Sequence, residues 1–142
     1  MRVLGLDIGD RRIGIALSDP LGILASTLGA IERRSFEWDI QSVIALADEH
    51  GVERIVVGLP RKLDGSLGEQ ARKVVEFAQG LMEASHFLIE YWDERFSTIE
   101  ASDRLREAGA KKVNRGRIDA AAASYILQGY LDSRGRTGGG SS

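Results

Sequence analysis

The stretch Leu4–Ala16, LGLDIGDRRIGIA, sets one aspartate, Asp7, inside an otherwise apolar run bracketed by Gly5 and Gly9. A buried, unpartnered carboxylate is costly, so Asp7 is either paired or there to hold something. As structure, the stretch reads as two strands, Arg2–Ile8 and Arg12–Ser18, turned back on each other at Gly9-Asp10-Arg11. Gly5 and Gly9 carry no side chain and would let backbone approach a ligand beside Asp7.

Outward from this hairpin, Leu24–Glu32 reads as a third strand, followed by Ser35 and an amphipathic helix over Phe36–His50 that Gly51 stops. Arg54–Leu59, RIVVGL, has the continuous apolar character of a strand covered on both faces. Ser66 and Glu69 form a capping box that opens a helix to about Ala84, and Phe87–Trp92 is a fifth strand. A second capping box, Ser97 and Glu100, begins a helix ending near Gly109. Beyond the basic run KKVNRGR, an alanine-rich helix covers Asp119–Asp132. The order is βββαβαβαα: a meander, then α/β crossovers. Right-handed crossovers would set the later strands parallel to the first, with helices on both faces. Residues 1–132 read as a single domain, and SRGRTGGGSS, 133–142, as a linker-like, disordered tail.

The 142 residues are 43% hydrophobic and 28% charged, the balance of a globular domain, and no apolar run approaches the roughly 20 residues of a membrane span. Met1-Arg2 leads straight into a strand without a signal-peptide pattern, and there is no cysteine for a disulfide or thiolate site; a cytoplasmic protein is expected. A net charge of −2 argues against a uniformly basic nucleic-acid binder. Of the 19 basic residues, however, 15 are arginine, the side chain whose fork fits phosphate, and many fall in the expected connections.

Function in such sheets gathers at the carboxyl ends of the parallel strands. Asp7 lies near the end of the first strand, Asp93-Glu94 just past the fifth, and Asp119 at the start of the last helix; Asp64 is an outer candidate. Each has a bland alternative: Asp119 as an N-cap, Asp93 and Glu94 as polar residues at a strand exit. Gathered together, the carboxylates would raise one another's pKa unless a cation neutralised them. An all-oxygen donor set suits Mg²⁺ or Mn²⁺, and two such ions about 4 Å apart can drive phosphodiester hydrolysis. Side chains alternate along a strand, so Asp93 and Glu94 need not both face the site. Glu94, the longer, is the better bridge, with Asp93 the second choice. His50 and His86 are isolated, and neither G-x-G-x-x-G nor G-x-x-x-x-G-K-[ST] occurs.

The segments LGLDIGDRRIGIALSD, VVGLPRKLDGSLGEQA, DERFST followed by Ala101, and RIDAAAASYILQGYLD resemble, in order, the motifs of the bacterial YqgF/RuvX family. Its members are described as Holliday-junction resolvases and as nucleases maturing the 5′ end of pre-16S ribosomal RNA. The resemblance spans Met1 to Asp132. It implies an RNase H-like α/β fold with a five-stranded mixed sheet, order 3-2-1-4-5, strand 2 antiparallel and helices on both faces. It makes Asp7 the first metal ligand, Glu94 the second acid and Asp119 the third. Lys62 stands where the family often has Asn, and Ala122 where the related RuvC resolvases carry a further acid.

The leading expectation is a Mg²⁺- or Mn²⁺-dependent nuclease of two-metal-ion type, with Asp7, Glu94 and Asp119 as its catalytic acids. Its substrate would be structured RNA such as pre-rRNA, or branched DNA. Arg11, Arg12, Arg61, Lys62, Arg95, Lys111, Lys112, Arg115 and Arg117 are the candidate phosphate contacts, and a homodimer would suit a two-fold junction. Two alternatives belong to other classes: an ATP-binding domain of the actin/Hsp70 type, which one-domain length disfavours, and a non-catalytic nucleic-acid-binding module.

Overall fold

Alternation along the first strand sets the layers, because successive side chains face opposite sides of a sheet. In the computed structural model, residues 1–94 and 115–141 are described, with backbone alone at 115–117 and 135–141. Strands β1 (Val3–Ile8), β2 (Arg12–Ser18) and β3 (Ala25–Glu32) precede helix α1 (Phe36–Glu49). Strand β4 (Arg54–Leu59), helix α2 (Glu69–Ala84), strand β5 (Leu88–Asp93) and helix α3 (Arg115–Ser141) follow. The sheet order is β3-β2-β1-β4-β5, with β2 antiparallel to both its neighbours and β4 and β5 parallel to β1, as the resemblance implies.

One face carries Leu4, Leu6, Ile13, Ile15, Ile55 and Val57, packed against Val43 of α1 and Val74, Phe77 and Leu81 of α2. The other carries Val3, Ala16 and Val56, packed against Ala123, Ile126 and Leu127 of α3. Each fully buried Leu, Ile or Phe contributes about 1.5–3 kcal/mol, so this double-sided burial is what holds β1 and β4 at the centre.

Small residues let α3 lie very close. A methyl at Gly5 would meet the Leu127 Cβ at 2.8 Å and the Ala123 carbonyl at 3.3 Å. Gly5 is therefore a seat for α3 rather than a ligand approach. Gly9 belongs to the turn, where its N–H donates to the Arg12 carbonyl at 2.9 Å and a methyl would strike that same oxygen.

Two local expectations are revised. Ser66 does not cap α2: its hydroxyl donates to Asp64 Oδ1 at 2.6 Å, and the helix starts at Glu69 after Gly68. Asp119, expected to open the last helix, lies within it, since the helix already includes Arg115. The backbone of α3 extends through Ser141. The helix expected over 97–109 lies outside the described residues.

Candidate metal centre and nucleic-acid interface

Register builds the site. Asp7 pairs across the hairpin with Gly14 of β2. On its other side, the β1–β4 register that sets Gly5 beside Val56 and Leu6 beside Val57 leads on toward Gly58. Asp7 thus stands between two positions with no side chain, and the other two acids occupy them. A methyl on Gly14 would lie 2.0 Å from the Asp119 carbonyl oxygen. A methyl on Gly58 would lie 2.9 Å from Glu94 Oε1 and 3.1 Å from its Cγ. Asp7 and Glu94 therefore meet over the ends of β1 and β4, and the Asp119 backbone is seated beside them on β2, on the face that α3 covers.

The same alternation separates Glu94 from Asp93. Gly58 pairs with Trp92 and Leu59 with Asp93. Trp92 lies on the α3 face, edge-on to Tyr130, and Glu94 shares that face. Asp93 points to the other side, where its Oδ2 is 3.5 Å from Arg61 Nε. The two neighbours thus face opposite sides, with Glu94 on the side of Asp7.

Burial first of all pushes the Glu94 carboxyl up to about 8, with the charge of Asp7, their hydrogen bond and the charge of Asp93 adding to it. Asp7 is also raised, mainly by burial; the Glu94 hydrogen bond opposes the rise, and the Asp119 charge supports it. In the metal-free pair Glu94 keeps its proton and donates it to the Asp7 carboxylate. Asp119 is held differently: Arg12 Nε donates to its Oδ2 at 2.8 Å. Because α3 starts at Arg115, Asp119 lies inside the helix and is no N-cap. Among the described residues no three His, Cys, Asp or Glu side chains form a ready-made metal cluster, consistent with the Asp119 carboxylate being drawn onto Arg12. The donor set fits a hard divalent cation all the same: three carboxylates, oxygen only, with a pair whose raised pKa a cation would relieve.

Several supporting residues carried no clear sequence signal. Arg33 donates to the Gly9 carbonyl at 2.9 Å and pairs with buried Asp39, also at 2.9 Å, while its guanidinium lies over Phe77. Gln70 donates to the Ile8 carbonyl at 3.2 Å. Together they brace the backbone just beyond Asp7. Gly58 could have been suspected, as the one break in the apolar run of β4.

Of the basic candidates, Arg11 in the β1–β2 turn and Lys62 after β4 are exposed at this end of the sheet. Arg12 is engaged by Asp119, and Arg61 by Asp93 and the Gly65 carbonyl. Arg95, Lys111 and Lys112 lie outside the described residues; Arg115 and Arg117 are described by backbone alone. Asp64 serves its own loop, accepting from the Ser66 N–H and hydroxyl.

A family model described as RuvX, Holliday junction resolvase, matches residues 1–133. A Clostridium botulinum (strain Hall) protein named "Putative pre-16S rRNA nuclease" is 47% identical over 134 residues, 94% of this chain and 98% of that protein. A Clostridium novyi (strain NT) protein of the same name is 46% identical over 134 residues, covering 94% and 99%. Among solved structures, Thermus thermophilus RuvC in complex with a Holliday junction substrate superposes with a TM-score of 0.62 at 16% identity, over 97% of this chain and 96% of that one. Fowlpox virus resolvase with Holliday junction DNA gives 0.60 at 12% identity, over 94% and 98%. At such identities these two likenesses bear on the fold, which they share with this chain.

Proposed function

The chain belongs to the RuvX Holliday junction resolvase family, and we propose that it is a divalent-metal-dependent nuclease acting in 5′-end maturation of pre-16S rRNA. The observation that carries this reading is the seating of Asp119 and Glu94 on Gly14 and Gly58, either side of Asp7. That arrangement supports a site built on three carboxylates at the strand ends, where substrate would reach them. The names of the Clostridium relatives point to the RNA.

Two Mg²⁺ or Mn²⁺ ions, when bound, would supply an activated water and stabilise the leaving oxygen of the phosphodiester. Asp7, Glu94 and Asp119 would hold them, with Asp93 as second choice. For Glu94 to take part it must give up the proton it shares with Asp7. Arg11 and Lys62, and with them Arg12, Arg61, Arg95, Lys111, Lys112, Arg115 and Arg117, would meet the backbone phosphates, so recognition rests on shape and charge more than on base edges. Action on rRNA precursors would place the protein in the cytoplasm. Among the described residues no helix is long and apolar enough to cross a membrane.

A second reading, structure-selective cleavage of four-way DNA junctions, is favoured by the family's own description. It carries the expectation of a homodimer, with one active site for each symmetry-related strand. To separate the two, the purified protein is given a 5′-extended 16S rRNA fragment and a four-way junction, each with Mg²⁺, Mn²⁺ or EDTA. The rRNA should be cut at its 5′ side and EDTA should abolish cutting. Paired cuts in the junction with intact rRNA would establish the second reading, and no cut in either substrate would overturn the nuclease.

A further inference from the structure

The Arg12–Asp119 contact has features of a bond meant to be exchanged. Arg12 opens β2 and, two residues before Gly14, shares the face on which Asp7 and Asp119 lie. Among the described residues its guanidinium reaches Asp119 through Nε, on Oδ2, where a fork-to-fork pair would use two bonds. Both side chains keep solvent access, 21% for Arg12 and 30% for Asp119, so water and other ions can reach the pair. The Asp119 backbone, by contrast, is fixed by its seat on Gly14. The carboxylate can therefore change partner without moving the helix.

A cation drawn to Asp7, Glu94 and Asp119 must compete with Arg12 for that carboxylate, and a guanidinium beside the cation would repel it. A freed Arg12 has a planar fork suited to phosphate and sits one residue from exposed Arg11. We propose that Arg12 is an exchangeable counter-ion, on Asp119 in the metal-free protein and on a substrate phosphate once metal binds, so that metal and nucleic acid bind cooperatively. This rests on the metal-site reading above and adds to it a positioning role for Arg12.

The test reads Mn²⁺ affinity, not cleavage. The dissociation constant is measured from the paramagnetic resonance of free Mn²⁺ for the full chain, with and without a phosphorothioate RNA that resists cutting. Arg12→Gln, Arg12→Lys and Asp7→Asn are compared with wild type after melting curves establish that each is folded. Arg12→Gln should bind Mn²⁺ about twofold to fivefold more tightly than wild type, the worth of an exposed ion pair. RNA should tighten Mn²⁺ binding in wild type and do so less in Arg12→Gln. Arg12→Lys, which keeps the charge without the fork, should fall between. Equal or weaker Mn²⁺ binding by folded Arg12→Gln overturns the exchange and leaves Arg12 as a plain support for Asp119. Should Asp7→Asn bind Mn²⁺ as wild type does, the metal site itself is wrong, and the exchange falls with it.

Discussion

Two half-buried carboxylates side by side cannot both ionise cheaply, which is why Glu94 donates to Asp7 and titrates near 8 where its ordinary value is 4.5. Between those values the folded protein binds more protons than the unfolded chain. The contribution of this pair to stability is therefore complete below about pH 4.5 and is lost as pH rises through about 8. Thermal melts of metal-free protein should show that loss between about pH 4.5 and about pH 8, and saturating Mn²⁺ should shrink it, because bound cations replace the proton. At limiting metal the cleavage rate should rise with pH through about 8 for the same reason. Glu94→Gln is neutral at every pH, so its melts should lose this dependence, while cleavage falls at least about 100-fold, the upper end for residues that merely support a metal ligand. A Glu94→Gln protein with the wild-type pH slope would mean that the pair is not coupled as described.

The elements matter because they bring the acids within reach of one another. Helix α3 rests on Gly5, Gly14 and Gly58, and Gly14 is the tightest seat, with a Cβ position 2.0 Å from the Asp119 carbonyl. Gly14→Ala should cost about 1–3 kcal/mol of stability, the usual penalty of overpacking, and should slow cleavage although no acid is changed. Paired melting and rate measurements check this; a wild-type rate would show that the seat does not position Asp119. At the hairpin end, Asp39→Ala would leave Arg33 without its buried partner and loosen its hold on the Gly9 carbonyl. An unfolding titration in urea should find about 2–3 kcal/mol lost, below the range for fully buried pairs because Arg33 is partly exposed. The elements themselves were largely legible in the sequence, since alternation and helical spacing are local signals. Their seats were not. Gly5 read as room for a ligand and proved to be room for Leu127, and the partner of Arg12 lies 107 positions further on, beyond any local pattern.

For the whole molecule, the succession of strands and helices followed from periodicity, whereas the order of strands across the sheet came from the family resemblance, which the structure matches. Asp7, Glu94 and Asp119 were legible as candidates because topology sends strand ends to one edge. Within β5, the register Gly58 to Trp92 and Leu59 to Asp93 turns Asp93 away from the face where Glu94 lies over Gly58. Asp119 resembled a cap because the basic run before it reads as a loop, whereas Arg115 already belongs to α3. The molecule that results is one sheet carrying an acidic centre at the ends of β1 and β4, with arginines and Lys62 around it. The proposed nuclease is tested most directly by the Mn²⁺-dependent cleavage rate of a 5′-extended 16S rRNA fragment by wild type and by a folded Asp7→Asn protein. A loss of about 100-fold or more in the variant is the predicted result; cutting by Asp7→Asn at the wild-type rate would contradict it.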